Sequence, residues 1–334
     1  MVKNILVVAP AWLGDMVMAH SMLQVVKQHY PRARLTILAP QATLQITELM
    51  PEINERILMP DQHGQFNLKT RFKLACQLRA KKFDLAYVLP NTWKSALIPF
   101  LAGIPQRVGA QGEQRYFLLN DLRKGLKKLP LMVQRYVTLA YRKNEFTPEM
   151  HFPFPRLSVP ETLRDQVKKR LNLNLQKPVL VLSPGAAFGP AKRWPAEYFA
   201  QVATAKIAKG FQVWVIGGPA EEALGAVIAK LEPRTHNFVR QTSLLEMAAL
   251  LSFAQQVLTN DSGPMHIAAS LDVPVFAIFG SSSAGFTPPL GDKITIIEKL
   301  GLSCRPCFER VCPLGHYACL KEITPKHVLM RMES

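Results

Sequence analysis

The 334 residues of the chain suggest two domains rather than one core, and a hydrophobic content of 48% with 26 scattered prolines excludes a disordered protein. No uninterrupted apolar run is long enough to span a bilayer, so we expect a cytosolic protein. The net charge of +17 predicts an anionic partner, which could be a nucleic acid, an acidic membrane surface, or a phosphorylated or carboxylated substrate.

The first part of the chain alternates between strand and helix patterns. Residues 4–9 are a short apolar run that predicts a first strand, and a helical pattern begins at Asp15 after a loop that contains Gly14. No G-x-G-x-x-G follows this strand, so the dinucleotide-binding fingerprint is absent there. The other predicted elements are strands at residues 34–39 and 84–89 and helices at residues 68–79 and 92–101. The alternation indicates one parallel α/β domain over residues 1–155.

A proline-rich stretch at residues 147–160 predicts a linker, and the α/β pattern restarts after it. The predicted strands are residues 179–182, 211–216, a run ending at residue 259, and 275–279; the predicted helices are residues 161–173, 195–208, 220–231, 244–252 and a segment starting at residue 263. We expect a second doubly wound domain over residues 156–320. Two such domains leave a cleft between the carboxyl ends of their strands, where ligands usually bind.

Residues 258–270 carry the clearest candidate for a binding site. A buried strand ends where Ser262 and Pro264 predict the start of a helix, so free N–H groups and the positive end of the helix dipole meet there. Asp261, Ser262, Gly263 and His266 would line a phosphate site at this junction. The alternative is an ordinary capped helix with a buried core histidine.

Four further loops follow predicted strands and would face the cleft, and one of them, residues 279–290, offers small residues and hydroxyls. Asp15 could act as a general base or simply cap a helix. Lys192 and Arg193 follow a glycine-containing turn and could neutralise a diphosphate, although the Walker A spacing is missing. Glu221 or Glu222, after Gly217-Gly218, could accept hydrogen bonds from ribose hydroxyls, or form a favourable acidic first turn.

The motifs occur together in an order that resembles the ADP-heptose:lipopolysaccharide heptosyltransferases of glycosyltransferase family 9. They are Gly14-Asp15, Gly-Pro-Ala-Lys-Arg-Trp-Pro at 189–195, Asn-Asp-Ser-Gly-Pro-Met-His at 260–266, and Phe-Thr-Pro-Pro-Leu at 286–290. The resemblance implies an α/β GT-B fold, in which two Rossmann-like doubly wound domains face a central cleft. It also implies that residues 321–334 form a helix that crosses back toward the first domain.

The same resemblance implies an inverting transfer of L-glycero-D-manno-heptose from ADP-heptose to the first heptose of the lipopolysaccharide inner core, with no metal or other cofactor. Asp15 would be the catalytic base. The donor would be held by Lys192, Arg193, Glu222, Asp261, Ser262, Gly263 and His266; the choice of Glu222 over Glu221 is not fixed by the motifs.

The basic residues favour the first domain, with a net charge of +11 for residues 1–155 and +6 for the remainder. This excess suits an anionic lipopolysaccharide core acceptor and a peripheral position on the inner face of the cytoplasmic membrane. The alternatives are a heptosyltransferase that acts on Kdo or on a later core heptose, and a basic nucleic-acid-binding protein. No recognisable nucleic-acid-binding motif supports the last of these.

Four cysteines lie close together near the carboxyl terminus. Cys304, Cys307, Cys312 and Cys319 have one C-x-x-C pair among them, with His316 nearby. A structural zinc site is one interpretation, and reduced thiols or a stapled loop are the other.

Overall fold

The computed structural model of the chain describes residues 2–59 and 67–333. Apolar runs between residues 4 and 123 form the strands of the first sheet. Contacts divide the chain into two units, residues 1–155 and 156–334. The helices and strands of the first unit are β1 (Asn4–Val8), α1 (Leu13–His29), β2 (Arg34–Pro40), α2 (Gln41–Leu44), β3 (Glu55–Met59), α3 (Leu68–Ala80), β4 (Leu85–Val88), α4 (Trp93–Leu101), β5 (Gln106–Ala110), β6 (Asp121–Arg123) and α5 (Met132–Ala140).

The strands of the first unit lie in the order β3-β2-β1-β4-β5-β6, and every neighbouring pair is parallel. β1 and β4 are almost wholly buried because helices cover both faces of the sheet, whereas β3 at the edge is only partly buried. This order reverses direction between β1 and β4, so the crevice outside their carboxyl ends is the expected ligand position in this sheet.

The second unit repeats the same topology. Its helices and strands are α6 (Glu161–Arg170), β7 (Val179–Ser183), α7 (Ala196–Ala208), β8 (Gln212–Val215), α8 (Glu222–Leu231), β9 (His236–Asn237), α9 (Leu244–Ser252), β10 (Gln256–Asn260), α10 (Gly263–Ser270), β11 (Val275–Phe279), β12 (Ile294–Glu298), α11 (Ala318–Lys321) and α12 (Pro325–Arg331). The parallel order is β12-β11-β10-β7-β8-β9, with its reversal between β7 and β10. The prediction of two doubly wound α/β domains is therefore confirmed.

The carboxyl-terminal helix packs on elements of the second unit. Val328 of α12 is fully buried and belongs to the same hydrophobic core as residues of α7. The Met332 carbonyl accepts a hydrogen bond from Gln256 Nε2 at 3.1 Å. Trp194 Nε1 also donates to the carbonyl of Ile323 at 2.8 Å. These contacts join the helix to the second unit; that it also reaches back toward the first domain stays a prediction.

None of the described helices combines the length and the apolar composition that crossing a membrane requires.

Candidate active site

The junction after β10 has the predicted form. β10 ends at the buried Asn260, and α10 begins at Gly263 with Pro264 in its first turn. Ser262 occupies the N-cap position in extended conformation, but its side chain does not cap a backbone N–H. The first-turn N–H groups of α10 therefore have no side-chain cap from Ser262, which suits a site for an anion.

Asp261 joins two other loops at this junction. Its carboxylate oxygen Oδ2 accepts hydrogen bonds from Lys192 Nζ and from Ser282 Oγ, both at 2.5 Å. Asp261 is 4% exposed, and the side chain of Lys192 is 15% exposed. The tertiary structure thus brings together residues 69 and 21 positions apart in the sequence and holds the lysine ammonium beside the helix start. Ser282 was not predicted; the small and hydroxylated residues after β11 were the only sequence signal.

Asn260 fixes the lysine loop to the sheet. The buried side chain accepts from the backbone N–H of Trp194 at 3.1 Å and donates to the Pro184 carbonyl at 2.7 Å. Arg193, in the same loop, donates from Nε to the Ala186 carbonyl at 3.2 Å. Arg193 therefore helps to hold the loop.

A second cation accompanies Lys192. Lys192 Nζ lies 5.0 Å from the ring centroid of Phe188, and the Arg310 guanidinium lies 5.3 Å from the same centroid. The Arg310 carbonyl also accepts from the Ala191 N–H at 3.0 Å. The segment around Arg310 thus packs on the lysine loop, a contact that no local sequence pattern indicates.

His266 is neutral at physiological pH. It is 5% exposed, and burial lowers its pKa from 6.5 to about 4. The charge of Asp261 opposes this shift, while the charge of Lys192 adds to it. A neutral imidazole keeps one N–H donor, so His266 can still hydrogen-bond to an anion without adding charge to the site.

Glu221 and Glu222 point to different surroundings. Glu221 Oε2 accepts from the Gly218 N–H at 2.8 Å, and its side chain lies so close to Gly185 that a Cβ there would collide with Glu221 Cγ. Glu222 instead pairs with Arg240 at 2.6 Å, with its side chain 62% exposed. Glu221 therefore lies between the loops after β7 and β8, and Glu222 lies on the surface.

In the first unit, Asp15 lies in the first turn of α1, after the carboxyl end of β1. The N-cap residue is Trp12, so Asp15 is not the N-cap that the sequence allowed as an alternative. The buried Tyr136 of α5 donates a hydrogen bond to the Asp15 carboxylate. Burial, followed by the negative charge of Asp15, raises the pKa of Tyr136 well above its usual value, so the phenol stays protonated and continues to donate.

The four cysteines line a cavity of about 20 Å³ together with His316. All are free thiols. Over residues 2–59 and 67–333, no group of three or more His, Cys, Asp or Glu side chains is arranged to hold a metal ion, and the zinc interpretation stays a prediction.

Comparisons with known proteins agree on one family. The model of glycosyltransferase family 9 (heptosyltransferase) matches residues 71–318. Lipopolysaccharide heptosyltransferase 2 of Escherichia coli K12 is 39% identical, over 99% of this chain and 98% of the relative. Lipooligosaccharide heptosyltransferase 2 of Haemophilus influenzae is 40% identical, over 98% of each chain. The structure of E. coli ADP-heptose lipopolysaccharide heptosyltransferase II superposes with a TM-score of 0.87 at 37% identity, over 99% of this chain and 98% of that one.

Proposed function

The chain belongs to glycosyltransferase family 9, and from this we propose that it transfers L-glycero-D-manno-heptose from ADP-heptose to the first heptose of the lipopolysaccharide inner core. The observation that carries the proposal is the near-complete coverage, at 39–40% identity, of relatives named heptosyltransferase 2. The cluster of Lys192, Asp261 and Ser282 at the reversal point of the second sheet supports it, because a sugar diphosphate needs a cation and free N–H groups there.

In the proposed reaction, Asp15 removes the proton from the acceptor hydroxyl. The hydroxyl oxygen forms a bond to the anomeric carbon of the heptose while the bond from that carbon to the diphosphate oxygen breaks, and ADP leaves with the electron pair. An attack from the face opposite the diphosphate inverts the configuration. The transition state resembles an oxocarbenium ion, so a base and leaving-group stabilisation are both required.

Leaving-group stabilisation is assigned to the second unit. Lys192 provides a positive charge, the first turn of α10 at Gly263 and Ser262 provides N–H groups, and His266 provides one neutral donor. Asp261 holds the lysine ammonium in place before the donor arrives. For the ribose hydroxyls, the geometry favours Glu221 over the sequence-based choice of Glu222, because Glu222 is paired with Arg240 on the surface.

We place the acceptor beside the first unit, where the net positive charge is larger. Phosphates and carboxylates of the lipopolysaccharide core would be attracted to this charge. Since the acceptor is lipid-linked, the proposed location of the enzyme is the cytoplasmic face of the inner membrane, as a peripheral protein. We expect no role for a nucleic acid.

Incubation of the purified protein with ADP-heptose and truncated core acceptors tests the proposal. The mass of the product should increase by one heptose on an acceptor that ends in a single heptose, and should not change on a heptose-free Kdo acceptor. Transfer to the Kdo acceptor, or only to a core that already carries two heptoses, would contradict the assignment of the acceptor.

A further inference from the structure

Exposed aromatic side chains are concentrated in the first unit. Phe117 is 89% exposed and Phe72 is 57% exposed, values unusual for side chains of this size. Of the described residues, the exposed aromatics of the first unit are Trp12, Phe72, Trp93, Phe100, Tyr116 and Phe117, whereas the second unit has Phe308. The site assigned above uses none of them.

The helix α3 is amphipathic with apolar and basic residues on its outer face. Leu74, Ala75 and Leu78 are buried in the core of the first unit. Leu68 and Phe72 are exposed one helical turn apart, and Lys69 and Lys73 are exposed beside them. The outer face therefore combines two large apolar side chains with two ammonium groups.

One hydrogen bond joins α3 to α4, and another joins α4 to the loop after β5. The Arg71 guanidinium donates to the Lys94 carbonyl in the first turn of α4 at 2.6 Å. The adjacent Trp93 donates its backbone N–H to Glu113 Oε2 at 2.9 Å. The start of α3, the start of α4 and the loop after β5 are thus neighbours on the first unit.

The loop after β5 has a rigid base. Arg115 is 1% exposed and donates to the Pro90 carbonyl at 2.5 Å and to the Ala110 carbonyl at 2.6 Å. Phe117, two residues further on, is consequently presented to solvent from an anchored loop. We call Leu68, Lys69, Phe72, Lys73, Trp93 and Phe117 the aromatic–lysine surface.

Strand direction places this surface at the catalytic edge of the first sheet. α4 and the loop around Phe117 follow the carboxyl ends of β4 and β5, and Asp15 follows the carboxyl end of β1. The carboxyl ends of parallel strands meet at one edge of a sheet. The surface and the proposed base therefore belong to the same edge.

We propose that the aromatic–lysine surface docks on an anionic lipid bilayer. Aromatic side chains are favoured at the headgroup level, and each lysine near an anionic surface adds attraction. The inference rests on the proposed function, because a lipid-linked acceptor would then be presented at the edge that carries Asp15. A nucleic acid would also attract the lysines, but it gives no reason for solvent-exposed apolar groups such as Leu68.

Vesicle co-sedimentation of the full chain tests the proposal. Wild type should pellet with vesicles of phosphatidylethanolamine and phosphatidylglycerol, and less with phosphatidylcholine alone. Lys69→Gln/Lys73→Gln should weaken binding about 30-fold, from two lysines at about 1 kcal/mol each. Phe72→Ser/Phe117→Ser should weaken it about tenfold or more. The matched controls are Lys168→Gln/Lys169→Gln on α6 and the exposed pair Leu300→Ser/Met330→Ser, which should bind like wild type.

Transfer to a soluble, lipid-free acceptor separates this proposal from the proposed function and verifies folding. The surface variants should keep wild-type turnover on the soluble acceptor and lose it on a vesicle-embedded one. If wild type transfers heptose but does not pellet with anionic vesicles, the docking proposal is wrong and the proposed function stands. If it pellets with anionic vesicles but transfers no heptose, the proposed function is wrong and the docking proposal stands. The docking proposal would also be wrong if all variants bound vesicles equally, or if the protein preferred nucleic acid to vesicles. It would likewise be wrong if the protein formed a dimer that Phe72→Ser/Phe117→Ser dissociates.

Discussion

Asp15 is placed by the backbone of α1 and oriented by a side chain from another helix. Its carboxylate accepts a hydrogen bond from the Tyr136 hydroxyl, and Tyr136 is 121 residues away in the sequence. The loop after β1 was sufficient to predict Asp15, because a strand end followed by an acidic helix start is a local pattern. Tyr136 could not be predicted, because its contact depends on the packing of α5 against α1.

At Asp15, we expect Asp15→Asn to lower turnover by about 10²- to 10⁴-fold while ADP-heptose binding persists, since the amide cannot accept the proton. Single-turnover rates and donor titration would measure the two effects separately. Glu161→Gln, an exposed acid in the first turn of α6, is the control and should behave like wild type. Near-normal turnover in Asp15→Asn would leave Asp15 with a structural role only.

At Tyr136, we expect Tyr136→Phe to move the acidic limb of the pH–rate profile to higher pH. The lost hydrogen bond stabilises the ionised carboxylate, so its removal makes the Asp15 carboxyl easier to protonate. A merely structural tyrosine would lower the rate at every pH without moving the limb. The profile of kcat/KM against pH for wild type and variant distinguishes the two.

At Lys192, we expect Lys192→Ala to weaken ADP-heptose binding about 10- to 100-fold, the loss of a charge-assisted contact. Because the variant leaves Asp261 buried without its lysine, thermal unfolding should be followed alongside the donor titration. Lys209→Ala, which removes an exposed partner of Glu333, is the control for loss of charge. If donor affinity and turnover both stay unchanged, Lys192 does not belong to the site.

At the scale of the elements, the core strands follow from local sequence and the edge strands do not. β1, β4 and β7 are nearly continuous apolar runs because helices cover them on both faces. β10 is also buried, although only Val257 and Leu258 in it are apolar. β3 and β12 are only partly buried and β9 has two residues, so none of them is the fully buried run that marks an inner strand. Their place in the sheets is decided by pairing with inner strands.

The junction of β10 and α10 also makes stability depend on pH through His266. Above pH 6.5 the imidazole is neutral in both the folded and the unfolded chain, so its protonation does not change the free energy of unfolding. As the pH falls from 6.5 to about 4, the unfolded chain takes up a proton that the folded chain does not, so unfolding becomes more favourable by about 3 kcal/mol in total.

We therefore expect the free energy of unfolding of His266→Asn to fall less steeply than that of wild type as the pH decreases from 6.5 to about 4. Urea unfolding midpoints measured from pH 7 to pH 4 would show it. His151→Asn, at an exposed position in the proline-rich linker, should retain the wild-type slope. The same slope in His266→Asn and wild type would mean that His266 is accessible to protons in the folded state.

At the scale of the whole molecule, the chemistry is assigned to two units that share one topology. In the proposed reaction, the first unit supplies a carboxylate, and the second supplies the cation and the helix start. The proposed reaction uses no metal ion, so we expect heptose transfer to survive EDTA treatment undiminished. Elemental analysis of the purified protein would also measure zinc at the four cysteines, and a loss of activity that zinc or magnesium restores would contradict the expectation.

The sequence by itself determined the two α/β domains, the linker between them and most of the candidate site. Apolar runs, helix starts and strand-end loops are local patterns, and Asp15, Lys192, Asp261, Gly263 and His266 all lie in them. Tertiary structure alone decided that Ser282 and Lys192 donate to one oxygen of Asp261 and that Tyr136 contacts Asp15. It also decided that Glu222 pairs with Arg240 and that α12 packs in the second unit. These contacts join residues distant in sequence, and packing of the sheets and helices rather than any local pattern sets their distances.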